Sequence, residues 1–295
     1  MQEVGNLILE WRNGLGNCLF QYCFGRLISE KYDLQLKYLD QNGRSCYKNP
    51  IEYGLEIGGK IQPCSIDPLH AVDIFRISST YGKFEKFFKL DQDKIKKMNL
   101  LLGYPSYING LIEDYRIYTP HIEKINKWFP KSETINSEDL VFHIRLGDNW
   151  NTPQATNGGV IPQEYYLECE TRVSYNKLFI VTDDPSDPYH NSFKHLDPIF
   201  LTNEGAPEDT FIEEFKYLNK NNVNHCIRDF NFLRSFDNIV VGNSTFSWWA
   251  AFLGQNKNVF TYEPWQRGHV NLGQTNLENW TNIKLENRRE DFLSL

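Results

Sequence analysis

"VFHIRLGDNW", residues 141–150, decides how this chain is read. It starts as a buried strand: Val141, Phe142 and Ile144 are apolar. It then turns polar, with His143, Arg145 and Asp148 beside the breaker Gly147. A core strand that ends in a histidine, an arginine and an aspartate puts titratable groups at a sheet edge, where ligands bind in open α/β folds.

The same pattern recurs downstream. "LVFHIRL", "KLFIV", "NIVV" and "NVFTY" are four short apolar runs after residue 139. "PQEYYLECETRV", "TFIEEFKYL" and "RDFNFLRSF" lie between them and read as helices. Runs that are apolar on both faces suit strands covered by helices, so the alternation predicts a doubly wound parallel sheet. Three of the runs end in small or charged polar residues: Gly147-Asp148, "TDDP" at 182–185, and "GNSTFS" at 242–247.

Upstream, residues 6–11 read as a strand and "NGLGN" at 13–17 as a glycine-rich turn. Leu19, Phe20, Cys23, Phe24, Leu27 and Ile28 then mark a buried helix face. "LQLKYLD" at 34–40 is the next strand, and "PHIEKINKWFP" at 120–130 a helix that Pro130 ends. Residues 41–100 show weak periodicity, with a basic, partly helical stretch at 82–99 that reads first as a solvated face. "KSETINSED" at 131–139 is polar and turn-rich, and the domain boundary is placed there: an α/β domain over 1–137 and a Rossmann-like domain over 138–295. This division leaves the C-terminal tail able to pack back on the first domain.

Composition bounds the function. The 295 residues suit two domains or one large α/β domain, and a hydrophobic content of 40% supports a real core. A net charge of −7 gives no global attraction for nucleic acid, so an anionic substrate needs a local cationic pocket. No apolar stretch approaches the roughly 18 residues of a membrane span, and the N-terminus does not read as a signal peptide. The expected location is cytoplasmic, and any membrane association would be peripheral. The six cysteines form no CxxC pair and the seven histidines no HExxH, so free thiols and no metal site are expected.

Arg145 can grip two phosphate oxygens through its planar guanidinium. Ser244 and Thr245 stand where an N-cap is expected, and Phe246, Trp249, Ala250 and Leu253 continue as a helix face. A helix start with open amides is an anion site, so Arg145 and residues 244–247 together make a metal-free diphosphate clamp. No GxxxxGK[ST] loop is present, which argues against an ATPase. His143 reads either as a base or as a group binding nucleotide base or phosphate, and also as a core histidine. Asp183 and Asp184 read as capping or turn residues before Pro185 as well as ligand groups, and Trp248 and Trp249 as core residues first and as a sugar platform second.

These segments resemble the family 11 glycosyltransferases, the alpha-1,2-fucosyltransferases. "GLGNCLFQYCFGRLIS", "HIRLGD" and "GNSTFSWWAAFL" are similar to the family forms GLGNQMFQYAFGRALA, HxRRGDY and NSTFSWWAAWL. "IPQEYYLECE", "IVTDDP" and "RDFNFLRSFDNIVV" follow in family order, so the resemblance runs from about residue 6 to 254. It implies a GT-B-like fold, two Rossmann-like domains facing a cleft, the first on the acceptor side and the second on the GDP-sugar side. It further implies inverting, metal-independent transfer of fucose from GDP-fucose to the 2-hydroxyl of a galactose-containing glycan. The partners would be a GDP-sugar and an oligosaccharide acceptor.

Carried over by position, Arg145 resembles the arginine that holds the donor diphosphate, and His143 the histidine near guanine or ribose. Asp184, or Asp183 beside it, is similar to a guanine-reading aspartate. Asn243, Ser244, Thr245, Phe246 and Ser247 resemble the loop and helix start under the phosphates. Gly16 and Asn17 match positions near the pyrophosphate or fucose. Asp148 is expected to orient Arg145, and Glu113, Asp148 and His143 are the candidates for the base. The chain departs from the family at Leu146, where a second arginine is usual, at Cys18, where glutamine is usual, and at Glu113 in "NGLIED", in place of a glutamine.

Overall fold

A computed structural model describes residues 5–9, 14–39, 62–64, 74–76, 99–102, 115–129, 136–147, 160–201, 225–263 and 277–285. The chain divides into two compact units, Met1–Pro130 with Leu272–Thr275, and Lys131–Asn271 with Asn276–Leu295.

In the first unit, β1 (Asn6–Leu9) leads into α1 (Leu15–Tyr32) and then β2 (Gln35–Leu39). The apolar spacing expected for α1 is real, but the helix is buried nearly all round, Gln21 and Ser29 included. It starts at Leu15, so Gly16 and Asn17 belong to its first turn rather than to the loop before it. Its N-cap, Gly14, offers no side-chain cap, and Asp33 in the left-handed conformation ends it. Within the weakly periodic region lie β3 (Gln62–Cys64), β4 (Ile74–Arg76) and β5 (Asn99–Leu102). The sheet order is β3-β2-β1-β5-β4, with every pairing parallel. After a single turn, α2 (Tyr115–Tyr118), the helix expected at 120–130 is a 3-10 turn (Thr119–His121) followed by α3 (Ile122–Trp128). Pro120 falls in the 3-10 turn, where its missing N–H is tolerated.

The second unit carries β6 (Asn136–Ile144), α4 (Gln163–Glu170), β7 (Leu178–Thr182), a 3-10 segment (Pro188–Leu196), β8 (Ile199–Leu201), α5 (His225–Arg234), β9 (Phe236–Val240), α6 (Thr245–Gly254), β10 (Asn258–Glu263) and β11 (Thr281–Lys284). The polar stretch read as an inter-domain turn is, from Asn136 onward, the first half of β6. Its register against β9 shifts between Asn136 and Leu140, which explains why its pattern does not look like a strand. The short strands β8 and β11 were not anticipated. The helix expected over 210–218 and the basic stretch over 82–98 lie outside the described residues.

The sheet order is β11-β10-β9-β6-β7-β8, all parallel. Numbered within the unit, this is 6-5-4-1-2-3, the dinucleotide-fold order in which the chain reverses direction between the first and fourth strands. The core holds Leu140, Phe142, Ile144, Tyr165, Tyr166, Phe193 and Val240 among others. Trp248 and Trp249 are fully buried and pack edge-on at 5.1 Å, as core residues.

Candidate functional site at the sheet switch point

A reversal of strand order opens a crevice, because the loops after the two central strands turn to opposite faces. Here those strands are β6 and β9, and their carboxyl ends carry His143-Ile144-Arg145 and Val241-Gly242-Asn243-Ser244. The expectation that polar strand ends meet along one edge therefore holds in space. The strands concerned are not consecutive in the chain, since β8 intervenes, yet β7, β6 and β9 are neighbours.

The ladder between β6 and β9 ends at Phe142↔Val240, so the two chains part at His143. Two tyrosines of α4 bond to carbonyls at these strand ends, Tyr166 on the β6 side of the parting and Tyr165 between the ends of β9 and β10. Tyr166 donates its hydroxyl to the His143 carbonyl at 3.0 Å. The Tyr165 hydroxyl, 2.9 Å from the carbonyl oxygens of both Val241 and Phe260, donates a bond shared between them. Burial pushes both phenols well above their ordinary pKa, so both remain protonated donors. Neither tyrosine was singled out from the sequence as a site residue. The only signal was an adjacent aromatic pair on a helix whose hydroxyls need buried partners.

Gly242 lies where the strands separate. A side-chain carbon there would overlap the His143 carbonyl oxygen, and would sit 3.0 Å from His143 Nδ1 and 3.3 Å from the Tyr166 hydroxyl. Only a residue without Cβ lets β9 pass this close to the end of β6.

His143 is buried, 7% exposed, with its ring against Phe246 at 5.6 Å. Among the described residues its Nδ1 has no hydrogen-bond partner, so it is not a core histidine with its hydrogen bonds satisfied. Burial, reinforced by the Arg145 charge, lowers its pKa to about 3, and the ring is neutral at physiological pH. Arg145, the next outward residue, is exposed. Leu146 then turns back into the core, fully buried. The position where the family usually has a second arginine is therefore inward-facing in this chain, and Arg145 is the cationic side chain of the described loop 145–147.

Ser244 is the N-cap of α6, extended at φ −148° and ψ 128°, and its side chain accepts from the Phe246 amide at 3.3 Å. Ser247 is fully buried, its hydroxyl directed at the carbonyls of Gly242 and Ser244 at 3.3 and 3.2 Å. Both hydroxyls shape the turn. The positive end of the helix dipole remains directed at the crevice. Asn243, Thr245 and Phe246 are half-buried at the same turn.

The two aspartates after β7 differ. Asp184 accepts from the Ser186 amide at 3.1 Å and the Ser186 hydroxyl at 2.7 Å, a turn of its own. Asp183 reaches across to β6 and accepts from the Leu146 amide at 2.8 Å. The structure thus brings together His143, Arg145, Asp183 and residues 242–247 at one edge. Gly16 and Asn17 belong to the first unit, at the carboxyl end of β1. Asp148 and Glu113 lie outside the described residues.

These features define a parallel α/β unit whose switch point carries Arg145, His143 and the N-terminus of α6. The chain belongs to glycosyl transferase family 11, whose model matches residues 131–284, just over half of it. It is 26% identical over 154 residues to the O-antigen biosynthesis glycosyltransferase WbnK of Escherichia coli, a match covering 50% of this chain and 45% of that one. The chain thus spans less than half the length of that relative. An alpha-1,2-colitosyltransferase of Escherichia coli is 25% identical over 306 aligned residues, 92% of this chain and 96% of the relative. Among solved structures, the fucosyltransferase NodZ from Bradyrhizobium matches 90% of this chain and 98% of its own, with 12% identity and a TM-score of 0.49. Among the described residues no helix is long and apolar enough to cross a membrane.

Proposed function

We propose that this glycosyltransferase transfers fucose from GDP-fucose to the 2-hydroxyl of a galactose-containing glycan, with inversion, without a metal ion, and in the cytoplasm. The observation that carries this reading is the grouping of Arg145, buried His143 and the α6 N-terminus at the switch point of the sheet. As the sugar–phosphate bond breaks, negative charge grows on the departing diphosphate. Arg145 and the dipole of α6 stabilise that charge from fixed positions. The acceptor hydroxyl attacks the opposite face and yields its proton to a base.

His143 suits a binding role rather than that of the base. A ring buried against Phe246 and holding its proton only below about pH 3 is too weak a base at neutral pH. The neutral ring instead suits a binding or packing group on the nucleotide side of the crevice. The base is then one of the carboxylates, Asp148 or Glu113.

A second reading, transfer of colitose in place of fucose, is favoured by the alpha-1,2-colitosyltransferase that aligns over 92% of the chain. The test is GDP release from GDP-fucose and from GDP-colitose, with EDTA present, over galactose-terminated acceptors. Acceptor-dependent release from GDP-fucose supports the first reading, and release from GDP-colitose alone supports the second. Release that requires an added divalent cation refutes metal independence. Saturable GDP binding with no turnover of either donor would make the protein a nucleotide-binding module.

A further inference from the structure

We propose that Asp183 is a positioning residue: from the end of β7 its carboxylate clamps the backbone of residues 146–147 and so fixes the turn that presents Arg145. The inference rests on the reading of Arg145 as the diphosphate ligand, and it removes Asp183 from the set of direct ligands.

The clamp follows from register. β6 and β7 pair through Ile144↔Thr182, so Arg145 and Asp183 are the first residues beyond the ladder on adjacent strands. The ladder no longer supplies partners there, and the loop amide needs another acceptor. Asp183 Oδ1 accepts from the Leu146 amide at 2.8 Å. Its other oxygen, Oδ2, lies 2.7 Å from where a Cβ would stand on Gly147. The carboxylate therefore lies over both residues after Arg145, and position 147 has no room for a side chain while it is there. Leu146, fully buried on the core side, anchors the same turn from below. Arg145 is thus held between a core anchor and a charged cap, with its guanidinium left toward solvent. The neighbouring Asp184 does nothing comparable, because its carboxylate closes a turn with Ser186.

The experiment measures binding of GDP and of guanosine by titration calorimetry to the full chain, with a thermal melt of each variant. Asp183→Ala is expected to weaken GDP about tenfold, the scale of losing one charged hydrogen bond to a backbone amide, and to leave guanosine unchanged. Asp183→Asn, whose amide oxygen still accepts from Leu146, should keep most of the GDP affinity. Gly147→Ala should weaken GDP in the wild-type background and have little effect on top of Asp183→Ala. Within Arg145→Ala, removing Asp183 should have no further effect.

Equal losses for GDP and guanosine would mean that Asp183 touches the base and would overturn the proposal. So would an undiminished Asp183 effect in the Arg145→Ala background, or unchanged GDP affinity in Asp183→Ala. Wild-type GDP affinity in Arg145→Ala alone would sink the diphosphate reading itself, a separate and recognisable failure. Should Asp183→Ala fail to fold, Asp183→Asn and Gly147→Ala carry the test.

Discussion

Gly242→Ala is the most searching perturbation of the switch point. A methyl carbon at 242 would overlap the His143 carbonyl oxygen, 3.0 Å from His143 Nδ1 and 3.3 Å from the Tyr166 hydroxyl. A carbon–oxygen contact needs about 3.3 Å, so the ends of β6 and β9 must part by roughly 1 Å. The obstacle is backbone, held by the Phe142↔Val240 pairing one residue earlier, and it cannot swing aside like a side-chain tip. Overpacking of this kind costs about 1–3 kcal/mol. Parting the strands also strains the Tyr166–His143 bond, whose net worth is about 1 kcal/mol. The sum is about 2–4 kcal/mol of the second unit's stability. The readout is a urea transition followed by near-ultraviolet circular dichroism, to which the packed Trp248, Trp249 and Phe252 contribute. Because His143 moves with its carbonyl, a displacement near 1 Å should also lower kcat/KM about a hundredfold. A variant with wild-type stability and turnover would refute the claim that the crevice geometry depends on close passage of β9.

Arg145→Ala should cut turnover at least about a hundredfold, the scale of losing one charge-stabilising donor, as read by GDP release. Tyr166→Phe strands the buried His143 carbonyl and should cost about 1–3 kcal/mol in the same urea experiment. His143 titrates near 6.5 in the unfolded chain and near 3 in the fold. The unfolded chain therefore binds the extra proton between those values, and its contribution lowers stability as pH falls from 6.5 toward 3. His143→Gln should flatten that part of the stability profile and leave the region above pH 7 unchanged; an unaltered slope would refute the buried, neutral assignment.

Much of the second unit was legible because local chemistry repeats. Apolar runs named the strands β6, β7, β9 and β10, and Ser244 named the start of α6 through its cap. The first half of β6 was not legible, since its register shift breaks the pattern. β8 and β11 are only three and four residues long, too short for a period to emerge. In the first unit, α1 read correctly as a buried helix, but β3, β4 and β5 left no trace for the same reason of length.

The candidate site divides in the same way. Residue identity placed His143, Arg145 and Ser244 at element ends, and it supplied the family resemblance that the comparison over 131–284 bears out. It could not separate Asp183 from Asp184, because adjacent carboxylates look alike until a neighbouring strand gives one of them an amide to cap. Nor could it show that Leu146 faces the core while Arg145 faces outward. By itself, the amino-acid order determined which segments bury on both faces, where helices start, and which charged groups stand at strand ends, all consequences of short-range periodicity and capping. Only the tertiary structure decided that β6 and β9 are neighbours, that Tyr166 takes up the His143 carbonyl where they part, and that Asp183 reaches the Leu146 amide. Those depend on ladder register between segments up to 100 residues apart, from Asn136 to Phe236, which packing settles and local sequence does not encode.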